Sequence, residues 1–376
     1  MLQSPAAERA RRRIVRLCRS GLDAPSLLVA VAAAVREVVG YDGAFWATTD
    51  PATLLITGAH VEELPRESAA PFYDNEYQHD DVNKFTALAR GRRPVATRSE
   101  ATGGQLERSR LHRELGPVFG FLGDELRAAF MAGSSCWGVA AMARRDPALP
   151  FSQADLSFVA SVCADVGEGL RASLLLDALG TPAPSGDGPA LILLGDDGSI
   201  AAASPDALAW LEELAGDFGL LPGERAPAVL LAVAARAREP AGAGGAGGVS
   251  EPPPRARVRT RSGRWLVLHG LALGTAGAGG SQSAVVVEPA LAPEVAPLIV
   301  AAYDLSPRER QVAQRVMLGG STAEIARALS ISPYAVQDHL KAIFEKVGVR
   351  SRGEMVRRIF ERHYLPAGRP GHGPDP

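Results

Sequence analysis

Between Leu305 and Ile359 a serine stands at the head of every short amphipathic run, and this punctuation constrains the fold more than any other feature of the chain. Ser306 is followed by Pro307 and, three residues on, by Glu309; Ser321 and Ser351 stand in the same relation to Glu324 and Glu354. In such a box the serine hydroxyl accepts from a backbone N–H of the first helical turn, while the glutamate carboxylate accepts from the serine N–H. Two donors that a helix cannot satisfy by itself thus find partners. Ser332 and Pro333 open another helix, but its third position is Ala335 rather than Glu. A carboxylate there would repel phosphate where free N–H groups attract it. Ala335 can equally be no more than a good helix former. Four short helices are predicted.

Within the helix that starts at Pro333, Val336, Leu340, Ile343 and Val347 recur at i, i+4, i+7 and i+11, one apolar stripe. Tyr334, Gln337, Asp338, Lys341 and Glu345 project to the opposite side. Ile325, Leu329 and Ile331 can cover the stripe, and Ser330-Ile331-Ser332 has the length of a helix-turn-helix connector. A helix held this way fits the DNA major groove with its N-terminal half toward base edges.

The run L-S-P-R-E-R-Q-V, the Gly319–Gly320 break, E-I-A-R-A-L-S-I-S, V-Q-D-H-L and G-V-R-S-R resemble the LuxR-type (NarL-like) DNA-binding domain of bacterial transcription regulators, over residues 303–363. The resemblance implies that Tyr334, Gln337, Asp338 and Lys341 read bases, and that Ser332, His339, Arg350 and Arg352 contact phosphate. It also implies dimerisation through the last helix, whose apolar residues are Met355, Val356 and Ile359. Two positions depart from the family, which often has Thr at 335 and Lys at 337, so fewer phosphate contacts are expected through this helix. Asp338 can accept from cytosine N4 but would repel a misplaced phosphate. The bland alternative is a four-helix protein-binding bundle.

Charge is unevenly spread. Tyr303 to Leu365 carries eleven basic and seven acidic residues, a net of +4 that leaves −6 for the rest of a chain whose total is −2. A uniformly basic nucleic-acid coat protein is excluded, whereas an anion-binding module on a mildly acidic body fits. Length alone, 376 residues, gives a prior of two or three domains. Cys18, Cys136 and Cys163 lie far apart, with no CxxC, so a reducing cytosol is the expected compartment. The basic start is followed by no apolar leader core. Leu27–Val39, interrupted by Arg36 and Glu37, is too short to span a bilayer. A cytoplasmic protein with no membrane partner is expected.

Upstream, residues 1–20 read as a basic helix and roughly 25–39 as a second, ending at Gly40. GAFWATTD and LLITGAHV read as strands about a turn at Pro51-Ala52, and PFYDNEYQHDDVNKFTALARG as helical. After a Gly- and Arg-rich loop, ELRAAFMA and CWGVAAMARR read as strands joined near Gly133–Ser135, and Ser152 caps a long helix. Helices framing an antiparallel sheet make an α+β domain. Its element order over residues 21–178 resembles a GAF sensory domain, with PFSQADLSFVASVCADVGEGL the best local match. Residues 179–187 form a linker. The strand, turn at Asp197-Gly198, strand and helix from Ser204-Pro205 resemble the opening of a PAS domain, taken as residues 188–290 with a Gly/Pro-rich insert at 239–254. Residues 366–376 are expected to be a disordered tail.

Other signals lose on context. Gly242, Gly244 and Gly247 spell GxGxxG inside low-complexity sequence rather than between a strand and a helix. Asp196-Asp197-Gly198 lacks the other ligands of a calcium loop and reads as a hairpin turn. No catalytic or metal-ligating arrangement is found, and the separation of His60, His79 and Cys136 sets no geometry. Tyr73, His79 and Trp137 are candidate pocket residues if a signal molecule binds; any cofactor is unknown. The sequence therefore predicts α+β sensory units, GAF-like then PAS-like, followed by an all-α helix-turn-helix domain. The expected protein is a dimeric, non-enzymatic regulator of transcription. Its expected partners are double-stranded DNA, RNA polymerase and a small-molecule or protein signal. The rival readings are a sigma-factor-like subunit and a signalling enzyme in which the sensory region is the active module.

Overall fold

A computed structural model describes residues 4–175, 188–215, 226–238, 254–273, 282–303 and 305–364. The expected linker, nearly all of the insert and the tail lie outside these residues.

The first unit runs α1 (Pro5–Cys18), α2 (Ala24–Arg36), β1 (Gly43–Thr49), β2 (Ile56–Glu62), α3 (Ala69–Gln78), α4 (Phe85–Arg90), β3 (Val95–Thr97), α5 (Arg98–Thr102), α6 (Arg110–Phe119), β4 (Glu125–Ala132), β5 (Ser135–Ala143) and α7 (Gln153–Ser173). Its five antiparallel strands lie in the order β2-β1-β5-β4-β3. Successive strand side chains point to opposite faces. Trp46, Leu126, Phe130 and Met142 accordingly enter one core with α1, α2 and α7, where the Trp46 and Phe130 rings stack at 5.9 Å. Phe45, Ala47, Val139 and Ala141 enter a second core on the other face. Both faces are covered, which is why β4 and β5 read as nearly continuous apolar runs.

Two stretches differ from their sequence reading. The helical run from Pro71 breaks between α3 and α4, where Asn83 adopts a left-handed φ of 56°. The break lets the Asp81 carboxylate accept from the Leu111 N–H at 2.8 Å, the Asn75 amide at 3.0 Å and the Ser109 hydroxyl at 3.1 Å. The Gly- and Arg-rich stretch is not a plain loop but contains β3, α5 and α6. Ser109 caps α6 by accepting from the His112 N–H, and Gly120 ends it in a left-handed conformation.

The second unit comprises β6 (Ala190–Leu194), β7 (Ile200–Ala203), α8 (Pro205–Ala215), α9 (Ala228–Ala237), β8 (Arg255–Arg259), β9 (Trp265–Leu273) and β10 (Gln282–Pro289). Its strands repeat the first sheet's antiparallel arrangement, β7-β6-β10-β9-β8. Helix α9, unassigned by the sequence reading, is buried along its length from Ala228 to Arg236. A helix apolar on all sides has to be enclosed, and α9 is: it packs on β9 and β10 of its own sheet and on α3 and β2 of the first unit. Gly270 permits the close approach, since a Cβ there would lie 2.5 Å from the Val233 carbonyl oxygen. Between the units, the Arg257 guanidinium donates twice to the buried Asp50 carboxylate, at 2.6 and 2.8 Å, and the Arg257 N–H adds a third bond at 3.1 Å.

The chain continues through α10 (Ala292–Ala302) into α11 (Pro307–Met317), α12 (Thr322–Leu329), α13 (Pro333–Val347) and α14 (Arg352–Tyr364). This helical unit meets the first through α7, where the Arg171 guanidinium donates to the Ala302 carbonyl. Arg310 reaches Ser134 and Ser135 in the β4–β5 turn at 3.4 and 3.5 Å.

Candidate functional site

The four serines start the last four helices as their spacing predicts. Ser306 with Glu309 and Ser321 with Glu324 form complete reciprocal boxes. Ser332 accepts from the Ala335 N–H at 3.1 Å. At α14 the box is shifted: Ser351 accepts from the Glu354 N–H at 3.1 Å, but the Glu354 carboxylate takes the Arg350 N–H at 2.6 Å. Burial alone would raise the Glu309 carboxyl, yet the Lys346 ammonium at 2.7 Å and the Ser306 N–H hold it below the usual carboxylate range. Ser306→Ala is expected to lower stability by about 1 kcal/mol, read as a shift in urea midpoint without a change in slope.

Helix α12 ends at Ser330, whose left-handed φ of 53° turns the chain into the Ser330–Ser332 connector. Val336, Leu340, Ile343 and Val347 are at most 3% exposed and share a core with Ile325, with Leu329 and Ile331 packed against it. The opposite side of α13 is open. Tyr334 is 78% exposed, and Gln337, Asp338, Lys341 and Glu345 are exposed. Tyr334, Asp338 and Lys341 have no side-chain partner among the described residues. Fifteen residues give α13 a length of about 22 Å.

The residues expected at phosphate fall into two groups. Ser332 and Arg350 are exposed and His339 is half-buried. Arg352 is committed internally: it donates to the Gly320 carbonyl at 2.9 Å and to the Thr322 hydroxyl at 3.0 Å, a hydroxyl that also receives the Gln337 amide at 3.3 Å. Thr322, which the sequence reading passed over, thus ties the first residue of α14 to α12 and α13. In α14, Met355 and Ile359 are fully buried in the chain's own core beside α10 and α11, and Val356 is half-buried. Two of the three apolar residues named for dimerisation, Met355 and Ile359, are therefore already covered.

Tyr73, His79 and Trp137 do not meet. Tyr73 lines a cavity of about 340 Å³ between the first sheet, α3 and α6, closed on one side by Ala226, Ala228 and Leu231 at the start of α9. His79 lines a separate, polar cavity of about 290 Å³ with Asp74, Arg110 and Glu114. Trp137 is buried in the other core, across the sheet. The polar residues of the larger cavity came from no sequence motif. Arg98 pairs with Glu125, and the Arg127 guanidinium donates to Glu125 at 2.9 Å and to Glu76 at 2.8 Å. All four side chains are under 10% exposed. Burial would raise the Glu125 carboxyl, but Arg127 and Arg98 hold it below its ordinary value. Burial pushes the Cys136 thiol up to about 11, so it stays protonated. Among the described residues no group of three His, Cys, Asp or Glu side chains is placed to hold a metal ion, and no helix is long and apolar enough to cross a membrane.

Comparison with known proteins places matches on the helical unit. Residues 304–359 match the family model of bacterial regulatory proteins of the luxR family. The transcriptional regulatory protein UhpA of Escherichia coli is 42% identical over 57 residues, 15% of this chain and 29% of that protein. The probable transcriptional regulatory protein NarL of Mycobacterium tuberculosis is 36% identical over 61 residues, 16% and 28% of the two chains. The chain thus spans under a third of the length of these relatives. Among solved structures, the phycoerythrobilin-bound GAF domain of a cyanobacterial phytochrome aligns over 45% of this chain and 96% of its own, at 16% identity and a TM-score of 0.33. The VqmA–ligand–DNA complex of Vibrio cholera aligns over 30% and 56%, at 17% identity and a TM-score of 0.19. Capped helices, turn, covered stripe and matched sequence agree: the C-terminal unit of this chain is a helix-turn-helix domain of the luxR family of bacterial regulatory proteins.

Proposed function

We propose that the chain is a transcription regulator that binds specific duplex DNA by laying α13 in the major groove. The observation that carries this reading is the open row of Tyr334, Gln337, Asp338 and Lys341 on a helix whose other side is locked into the core. In this reading those four side chains face bases, and Ser332, His339 and Arg350 lie beside phosphates. Arg352 supports the fold first, its guanidinium being held by Gly320 and Thr322. The function is binding rather than catalysis, exerted on RNA polymerase at a promoter in the cytoplasm. The two N-terminal units, GAF-like and PAS-like, receive a signal and alter how the DNA-binding unit is presented. A signal shifts such a balance only through different affinity for its two states.

Titration of the full chain against its own upstream region and against scrambled DNA of equal length tests the reading. The upstream fragment should bind at least tenfold more tightly, and both affinities should fall steeply with salt as counterions are released. Equal affinities would refute specificity. With Met355 and Ile359 already enclosed, dimerisation would have to use Val356 and exposed neighbours on α14. Sedimentation with and without DNA should show two chains per site, and a single bound chain would exclude the dimer.

A further inference from the structure

We propose that the arginine face of α1 is a second DNA-contacting surface, gripping the phosphate backbone of the duplex beside the stretch that α13 reads. This rests on reading the chain as a duplex-binding regulator, and it adds a surface that lies outside the helix-turn-helix.

The charge comes first. Residues 1–20 carry six arginines and one glutamate, a net of +5, against +4 for the whole of Tyr303 to Leu365; the remaining chain is then −11. Helix periodicity gathers that charge on one side. Ala7, Ala10 and Ile14, at i, i+3 and i+7, are at most 5% exposed and face the core. Arg9, Arg12, Arg13 and Arg16 recur at i, i+3, i+4 and i+7 on the opposite side, and all four are exposed. They line a groove of about 420 Å³ against Glu37 and Val38.

Little in the chain neutralises this groove. Glu37 pairs with Arg13 at 2.5 Å and Glu8 with Arg12 at 3.8 Å. The side chains of both pairs are 40% or more exposed, so the pairs are weak and can be exchanged for phosphate. Arg9 and Arg16 have no side-chain partner among the described residues.

The observations favour duplex DNA as the polyanion. A helix that lies on a membrane sinks its apolar face among the headgroups, whereas that of α1 is already enclosed. Position agrees. A Cβ on Gly169 would lie 2.9 Å from the Cys18 Cβ, and two residues further along α7 Arg171 donates to the Ala302 carbonyl, at the entry to the helix-turn-helix. Helix α1 and the DNA-binding unit thus attach to the same end of α7. That unit is also short of cations: Arg352 is held by Gly320 and Thr322, leaving Arg350 as the one arginine set beside phosphates. From Arg9 to Arg16 the face runs about 10 Å, the span of about three phosphates of one strand. Without it the acidic remainder of the chain would repel the duplex.

Titrating the full chain over a series of salt concentrations, against its own upstream region and against scrambled DNA, tests the proposal on Arg9→Gln/Arg12→Gln/Arg16→Gln. Each lost phosphate contact removes about one unit from the slope of log affinity against log salt, so the slope should shrink by about two to three on both DNAs. Affinity should fall at least about tenfold on both, with the ratio between them nearly unchanged. Arg90→Gln/Arg92→Gln/Arg93→Gln removes the same charge from another exposed stretch and should leave the slope alone. A slope that moves by less than about one unit in the α1 variant would overturn the proposal. An equal change in the second variant would also overturn it, by making the effect one of net charge. Intact DNA binding with lost attachment to phosphatidylserine vesicles would give the face to a membrane instead. Should the triple variant fail to fold, Arg16→Gln alone, expected to remove about one unit of slope, decides. The ratio between the two DNAs judges the regulator reading, while the slope on scrambled DNA judges α1, so either can fail without the other.

Discussion

Arg127→Met is expected to remove about 3–5 kcal/mol of stability, the cost of stripping one partner from a buried ionic cluster. Arg127 is enclosed between Glu125 and Glu76, and its guanidinium lies 4.9 Å from the Phe85 ring centroid and 5.5 Å from that of Phe72. Methionine fills much of the volume but leaves the buried Glu125 carboxylate with Arg98 as its ion-pair partner and that of Glu76 with the Phe85 N–H. The sign of the pH dependence follows. In the native chain the Glu125 carboxyl sits below its unfolded value, so its contribution is present above that value and fades as pH falls through the folded one. In the variant, burial is no longer opposed by Arg127 and the carboxyl moves upward. Acid then relieves the variant while it weakens the parent. Urea titrations at pH 7 and pH 5 should show the deficit shrinking at the lower pH. A deficit that grows, or one under 1 kcal/mol, would show that the cluster is not what holds this region.

Lys341→Ala should leave folding untouched and weaken binding to specific DNA by about 1–3 kcal/mol, or 5- to 150-fold, if the side chain reads a base. The lysine is exposed on the open side of α13 and touches nothing polar among the described residues, so any loss belongs to the complex. Affinity for scrambled DNA and the slope against salt should hardly move. A uniform loss on both DNAs with a shallower salt slope would make it a phosphate contact. No loss at all would remove α13 from the interface.

What the sequence disclosed and what it hid follow from how local each cause is. Ser306, Ser321 and Ser332 act on N–H groups within three residues, and the stripe from Val336 to Val347 lies on one helix, so the helix-turn-helix was legible. The caps of α6, Ser109 and Gly120, were equally local; an Arg-rich composition masked them. Helix α9 carries no polar side for periodicity to detect, because both of its sides are covered by sheets far away in the chain. The Arg98–Glu125 and Arg127–Glu76 pairs bridge 27 and 51 residues, so no spacing rule announces them. Trp137 shares a strand with Val139 but meets the opposite core from Tyr73, a matter of strand parity and the register shift at Phe130.

Because α9 serves both sheets, the two units are not interchangeable cassettes. A chimera cut between Ser173 and Ala190 would carry away one wall of the Tyr73 cavity together with the Arg257 clasp on Asp50. A cut after Pro289 would keep the second sheet whole, yet it would still strip α10 from Arg171, Arg255 and Arg257, so the seam for transplanting this input lies beyond α10, after Ala302.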